Sequence, residues 1–248
     1  GLAAWPGVST IRPVNIIALP DGLTPIAPLA SQHPATRQFL TDCCKLLINA
    51  EKDLNALDAK SGDGDTGSTL SSAARALIEA LDRLPLADHT QLLRAMGQEL
   101  SQTMGGSSGV LLAIFFAAAG DGASSGLGMR DALKAGLARM QEIGGARLGD
   151  RTMVDALSPA LDAFDKGFSS AASAARAGAN LTATFVKARA GRAAYINARQ
   201  TTAGAPRLPL CGDRPVVMGT WHFAECALAH LGCSDARRHM AWCVAGGS

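Results

Sequence analysis

Aromatic residues are scarce in this 248-residue chain: 4% of the total, with a single tyrosine. Sheets draw on aromatic and β-branched side chains for their cross-strand pairs, so the scarcity points away from a sheet protein. Charge is sparse as well, at 18%, below the roughly 25% of an average soluble domain. It is also balanced, with 23 basic residues against 21 acidic ones and a net charge of +2. That balance excludes a nucleic-acid-coating protein and a disordered acidic tail. No uninterrupted apolar run approaches the roughly 20 residues that span a bilayer. The first residues lack the basic and apolar regions of a signal peptide. The expected setting is therefore cytoplasmic, with neither membrane nor nucleic acid as partner.

Other signatures are missing too. There is no GxxxxGK[ST] and no GxGxxG after a strand, so the two common nucleotide motifs are absent. The six cysteines form no CxxC pair. Cys43 and Cys44 sit side by side in a helical pattern as small apolar filler. Cys211, Cys226, Cys233 and Cys243 share the last residues with His222, His230 and His239, without the paired spacing of a structural zinc site.

What is present is alanine and leucine, which make up much of the 48% hydrophobic fraction and favour close-packed helices. Residues 1–34 carry six prolines without helical periodicity and read as a linker, with one short strand possible at Val14–Leu19. From Ala35, apolar residues from Phe39 to Leu57 recur at three- and four-residue steps, predicting one helix of about 22 residues that ends near Asp58. Further helices are expected at 68–81, from a capping box at Asp88 and Gln91 to Leu100, and from a Ser107 cap to the glycines of 120–128. The last of these has no polar face and should be buried all round. Three more follow at about 129–143, 153–168 and 169–189. Seven helices and almost no strand predict an all-α bundle. After about residue 200 the pattern is no longer legible, and 201–248 reads as a divergent tail.

Four segments carry chemistry. In Leu57-Asp58-Ala59-Lys60-Ser61-Gly62-Asp63-Gly64-Asp65-Thr66-Gly67-Ser68-Thr69, three carboxylates crowd a helix end and a glycine-rich loop. Like charges so close need a cation or several donors between them. An EF-hand fails, because Gly67 and Ala74 stand where positions 5 and 12 need oxygen ligands. Magnesium suits three carboxylates with open positions, since it keeps waters and accepts phosphate oxygens. A solvated turn uses the same residue types, and on residue type alone both readings stand. Met104-Gly105-Gly106-Ser107-Ser108-Gly109 opens a helix with free N–H groups and two hydroxyls, as an anion site does and as a plain capped turn also does. Gly149-Asp150-Arg151-Thr152-Met153-Val154-Asp155 is another loop opening a helix, where Arg151 could pair with phosphate or a carboxylate. The fourth is Ala190-Gly191-Arg192-Ala193-Ala194-Tyr195, a compact basic turn.

Taken together and in this order, LNALDAKSGDGDTGSTL, MGGSSG, GDRTMVDAL and GRAAYINAR resemble the nucleotide-binding L domain of dihydroxyacetone (glycerone) kinases, over about residues 35–199. The resemblance implies a barrel of up to eight antiparallel helices with the nucleotide at one end. It implies that Asp58, Asp63 and Asp65 hold two magnesium ions gripping the phosphates of ATP or ADP. Thr66 and Ser68 would lie beside them, and Gly106, Ser107 and Ser108 would contact phosphate or ribose. Gly144, Thr152 and Met153 match the adenine side, and Arg192 matches a glycine-arginine turn near the site. No catalytic residue is carried over, because the family binds its ketose through a histidine of a separate K domain. The family's Asp-Pro-Gly segment and final apolar helix have no counterpart after Thr201, although 218–232 could supply a substitute helix.

Three functions follow from the resemblance. The first is the ATP-binding part of a glycerone kinase, joined through Ala4-Trp5-Pro6 and the linker to a K domain, homodimeric in its full-length form, and inactive without that domain. Some animal members of the family also split FAD to a cyclic flavin phosphate. The second is a subunit that holds ADP and is recharged by a phosphocarrier protein. The third is a degenerate helical interaction domain.

Overall fold

The computed structural model describes residues 28–59 and 63–185. Among them the chain forms α1 (Pro34–Asn49), α2 (Glu51–Asp58), α3 (Thr66–Ala80), α4 (His89–Thr103), α5 (Gly106–Ser124), α6 (Met129–Gly144), α7 (Val154–Asp162) and α8 (Phe168–Leu181). Single 3-10 turns follow at Phe164–Lys166 and Thr182–Thr184. The only β pairing among the described residues is one isolated bridge, Ser31 to Pro85. The fold is all-α, as the composition predicts.

The local rules explain most boundaries. Pro34 opens α1 at its first turn, where its missing N–H costs nothing, behind a His33 side chain that accepts from the Thr36 N–H. Asp88 caps α4 by accepting from the N–H groups of Thr90 and Gln91. Gly145, left-handed at φ +70°, ends α6.

Several expectations need correction. The single helix predicted from Ala35 is two, meeting at Ala50, where ψ falls to −2°. Helical bonds still cross the joint, Ala50 N to Leu46 O and Leu54 N to Ala50 O, both 3.0 Å, so the apolar period runs on unbroken. In α5, Gly105 is the N-cap and makes no side-chain cap bond, which puts Ser107 inside the first turn. The same helix ends at Ser124, within the expected glycine stretch of 120–128, after passing Gly120, which serves close packing: a Cβ there would stand 2.9 Å from the Arg94 backbone nitrogen. Nor is α5 buried all round, since Val110 is 57% exposed. By length and composition α5 could cross a membrane, yet it packs between α4 and α6. The sixth predicted helix stops at Asp162 rather than 168, and the seventh at Leu181. Expectations for Val14–Leu19, 186–200 and the tail lie outside the described residues.

Consecutive helices pack on one another from α3 to α8, and α1 and α2 both lie against α3. Leucines and alanines fill the core, with Leu47, Leu86, Leu100, Phe116 and Leu161 almost wholly enclosed. Glycines let the backbones approach. A Cβ on Gly97 of α4 would stand 2.8 Å from the Ala113 carbonyl oxygen of α5, and one on Gly136 of α6 would stand 2.4 Å from that of Phe115. The pairings Gly144 with Leu111 and Gly178 with Asp155 show antiparallel neighbours. They gather the start of α5, the end of α6, the start of α7 and the end of α8 at one end of the bundle. Gly136→Ala should therefore lower stability by about 1–3 kcal/mol through overpacking. Urea unfolding should show a lower midpoint at an unchanged slope.

Candidate metal and anion site

The last residue of α2 organises the acidic loop. Asp58 is only 6% exposed, and its Oδ2 accepts from the backbone N–H groups of Gly64 (3.0 Å), Asp65 (3.1 Å) and Thr66 (3.3 Å). A helix start leaves such donors without intrahelical partners. Here the preceding helix satisfies them, because Asp65, at the N-cap position, makes no side-chain cap bond. Gly64 adopts φ +78°, a left-handed turn that glycine takes without steric cost. The turn folds Asp63 and Asp65, both exposed, back beside Asp58, and one oxygen from each carboxylate lies within 4.8 Å of the others.

A second set of contacts fixes α3 against α2. A Cβ on Gly67 would stand 2.1 Å from the Glu51 carbonyl oxygen, so the two backbones touch there. Asn55 brackets Ser68, donating from Nδ2 to its hydroxyl (2.9 Å) and accepting its N–H at Oδ1 (3.1 Å). The Ser68 hydroxyl donates to Glu51 Oε1 at 3.1 Å. Ser68 thus faces α2 and braces the loop. Hydrogen bonds from Ser71 and Ser68, with a smaller contribution from Arg75, hold the Glu51 carboxyl below its ordinary value against a weaker opposing effect of burial.

Three converging carboxylate oxygens make a hard, all-oxygen donor set. Magnesium binds oxygens at about 2.0–2.1 Å in an octahedron, which sets neighbouring ligands about 3 Å apart and opposite ones about 4 Å apart. The trio fits such an ion with modest side-chain rotation.

The other predicted residues fall in two places. Gly106 begins α5 at φ +73°; Ser107 is exposed and Ser108 half-buried. Neither serine side chain has a hydrogen-bond partner among the described residues, and no side chain caps the first N–H groups of this 19-residue helix. Oriented donors of this kind suit an anion. Gly144 ends α6 against Leu111 of α5. Beyond it, Thr152 is half-buried and Met153 buried. Among the described residues Arg151 pairs with no carboxylate: its Nη1 donates to the Phe185 carbonyl at 2.9 Å. Burial lowers its pKa, and its Nε is enclosed without a partner. Arg151 is also left-handed, at φ +60°, a conformation costing a residue with a Cβ about 1–2 kcal/mol. Arg192 lies outside the described residues, as do Lys60, Ser61 and Gly62 of the acidic motif.

Sequence reasoning passed over Glu51, Asn55 and Asp155. Glu51 and Asn55 precede Asp58 by seven and three residues, so all three share one helical face. That spacing was readable. Asp155, in the first turn of α7, turns its carboxylate back on the preceding loop: its Oδ2 accepts from the Thr152 N–H (2.7 Å), while Thr152 Oγ1 accepts from the Val154 N–H (3.2 Å).

A depressed carboxyl pKa contributes stability that is complete above its unfolded value and lost as pH falls through the folded one. For Glu51, whose ordinary value is 4.5, the contribution should fade below that pH. Glu51→Gln should therefore show a shallower acid limb than the parent when unfolding midpoints are compared across pH 3–6.

Comparison with known proteins identifies the family. Residues 60–206 match the DAK2 domain family. The chain is 47% identical to dihydroxyacetone kinase of Citrobacter freundii over 173 residues, 66% of this chain and 31% of that protein. It is 37% identical to human triokinase/FMN cyclase over 223 residues, 79% of this chain and 37% of that one. The chain thus spans about a third of the length of these relatives. The crystal structure of the Citrobacter kinase with AMP-PNP and Mg2+ superposes with a TM-score of 0.67 at 33% identity, covering 88% of this chain and 38% of that one. The native form gives a TM-score of 0.70. A helical bundle, an acidic loop closed by Asp58 and a match over more than half its length place this chain in the DAK2-domain family, the L-domain module of dihydroxyacetone kinases and triokinases.

Proposed function

We propose that this chain binds a magnesium nucleotide and serves as the phosphoryl-donor module of a glycerone-type kinase, transferring the terminal phosphoryl group of ATP to a hydroxyl of a small ketose or aldose. The observation that carries the reading is the convergence of Asp58, Asp63 and Asp65 within 4.8 Å. The Citrobacter relative, crystallised with AMP-PNP and Mg2+ on the same fold, supports it. Asp58, Asp63 and Asp65 would share two magnesium ions. Bound there, the ions supply charge neutralisation for the polyphosphate, a role that a lysine fills in P-loop enzymes.

The protein's own groups do the rest. Asp58 holds the loop so that Asp63 and Asp65 keep their geometry. The N–H groups of Gly106, Ser107 and Ser108 and the two serine hydroxyls donate to phosphate or ribose oxygens. Gly144, Thr152 and Met153 form the nucleoside side, and Arg192, which lies outside the described residues, belongs to the same set. The acceptor sugar binds on a separate K domain, reached in a full-length, homodimeric protein through residues 1–34; residues 201–248 follow as a separate tail. The enzyme works in the cytoplasm, and the module alone is inactive.

Calorimetry on this polypeptide should detect Mg-ADP binding. Asp63→Asn or EDTA should abolish it, because a carboxamide loses the charge that holds the cation. Binding that survives both would remove the metal from the reading.

A further inference from the structure

The loop between α6 and α7 is held in a way that its connecting role does not require. Asp155 is 2% exposed. Besides the bond that its Oδ2 accepts from the Thr152 N–H, its Oδ1 accepts the Gly149 N–H at 2.6 Å. One carboxylate thus bridges two loop nitrogens on either side of Asp150 and Arg151. Asp150 turns inward as well, accepting the Arg147 N–H at 2.8 Å. Between these anchors the backbone takes two left-handed residues, Gly149 at φ +95° and Arg151 at φ +60°. The Arg151 guanidinium then reaches the Phe185 carbonyl beyond α8. A connection of this length could relax into a cheaper turn. Here it is tied to α7 by Asp155 and to the end of α8 by Arg151.

We propose that Asp155, assisted by Arg151, is the positioning residue for the nucleoside end of the site. The clamp holds Thr152 and Met153 at one fixed height beside Gly144 and the start of α5. It acts on the base and ribose and leaves the polyphosphate grip of the acidic loop untouched. This inference rests on the nucleotide reading above.

The two are separable by titrating the full chain calorimetrically with Mg-ADP and with Mg-tripolyphosphate, which offers the phosphates without a nucleoside. Asp155→Asn keeps one acceptor and places an amide N–H against a backbone N–H. It should weaken Mg-ADP by at least about tenfold and leave Mg-tripolyphosphate within about twofold. Unchanged Mg-ADP affinity, or parallel loss of both ligands, would overturn the proposal while the nucleotide reading stands. A parent chain that binds neither ligand would defeat both. Should circular dichroism show Asp155→Asn unfolded, Arg151→Gly decides. It accepts the left-handed backbone without strain and removes the whole side chain, guanidinium included, and should weaken Mg-ADP about fivefold with tripolyphosphate unchanged; equal effects on both ligands would overturn the assignment.

Discussion

One carboxylate oxygen, Asp58 Oδ2, holds three consecutive backbone N–H groups at the start of α3. Charge-assisted bonds of this kind are roughly twice as strong as neutral ones, and this set joins the end of one helix to the beginning of the next. It converts a glycine-rich loop, which on its own would sample many conformations, into a turn of fixed shape. The convergence of Asp63 and Asp65 on Asp58 follows from it. The fold accepts the mutual repulsion of three carboxylates because their backbone positions are set by this oxygen and by the Gly67 contact with α2.

The same device appears at the other loop. Asp155 bridges the N–H groups of Gly149 and Thr152 much as Asp58 bridges those of Gly64 to Thr66. In both cases a buried aspartate within a helix or at its end shapes a neighbouring loop that includes a left-handed glycine. Helices supply the rigidity and the loops supply the ligand groups, so side chains rather than backbone would adjust around a cation and a polyphosphate.

Much of this was legible in the residues. The three- and four-residue steps from Phe39 onward, the Asp88 cap and the glycine ends gave helices close to those observed. The acidic motif pointed to the three aspartates that the structure brings together. The errors have a common physical origin. Gly120 and Gly178 sit inside helices where a Cβ would strike a neighbouring backbone, so tertiary packing overrides propensity at both. The joint at Ala50 left no trace because helical bonds cross it. Ser68 and Arg151 were legible as polar residues but not in direction: which way each side chain turns depends on α2 in one case and on Phe185 in the other. Those contacts join residues far apart in the chain, and no local pattern encodes them.

The central claim is that the Asp58-anchored loop clamps a divalent cation against a polyphosphate. Crystals grown with Mn2+ and ADP test it most directly through anomalous diffraction. The account predicts a manganese peak bounded by Asp58, Asp63 and Asp65 and continuous with the nucleotide phosphates. Nucleotide bound elsewhere, or those three carboxylates turned apart with no peak between them, would contradict it.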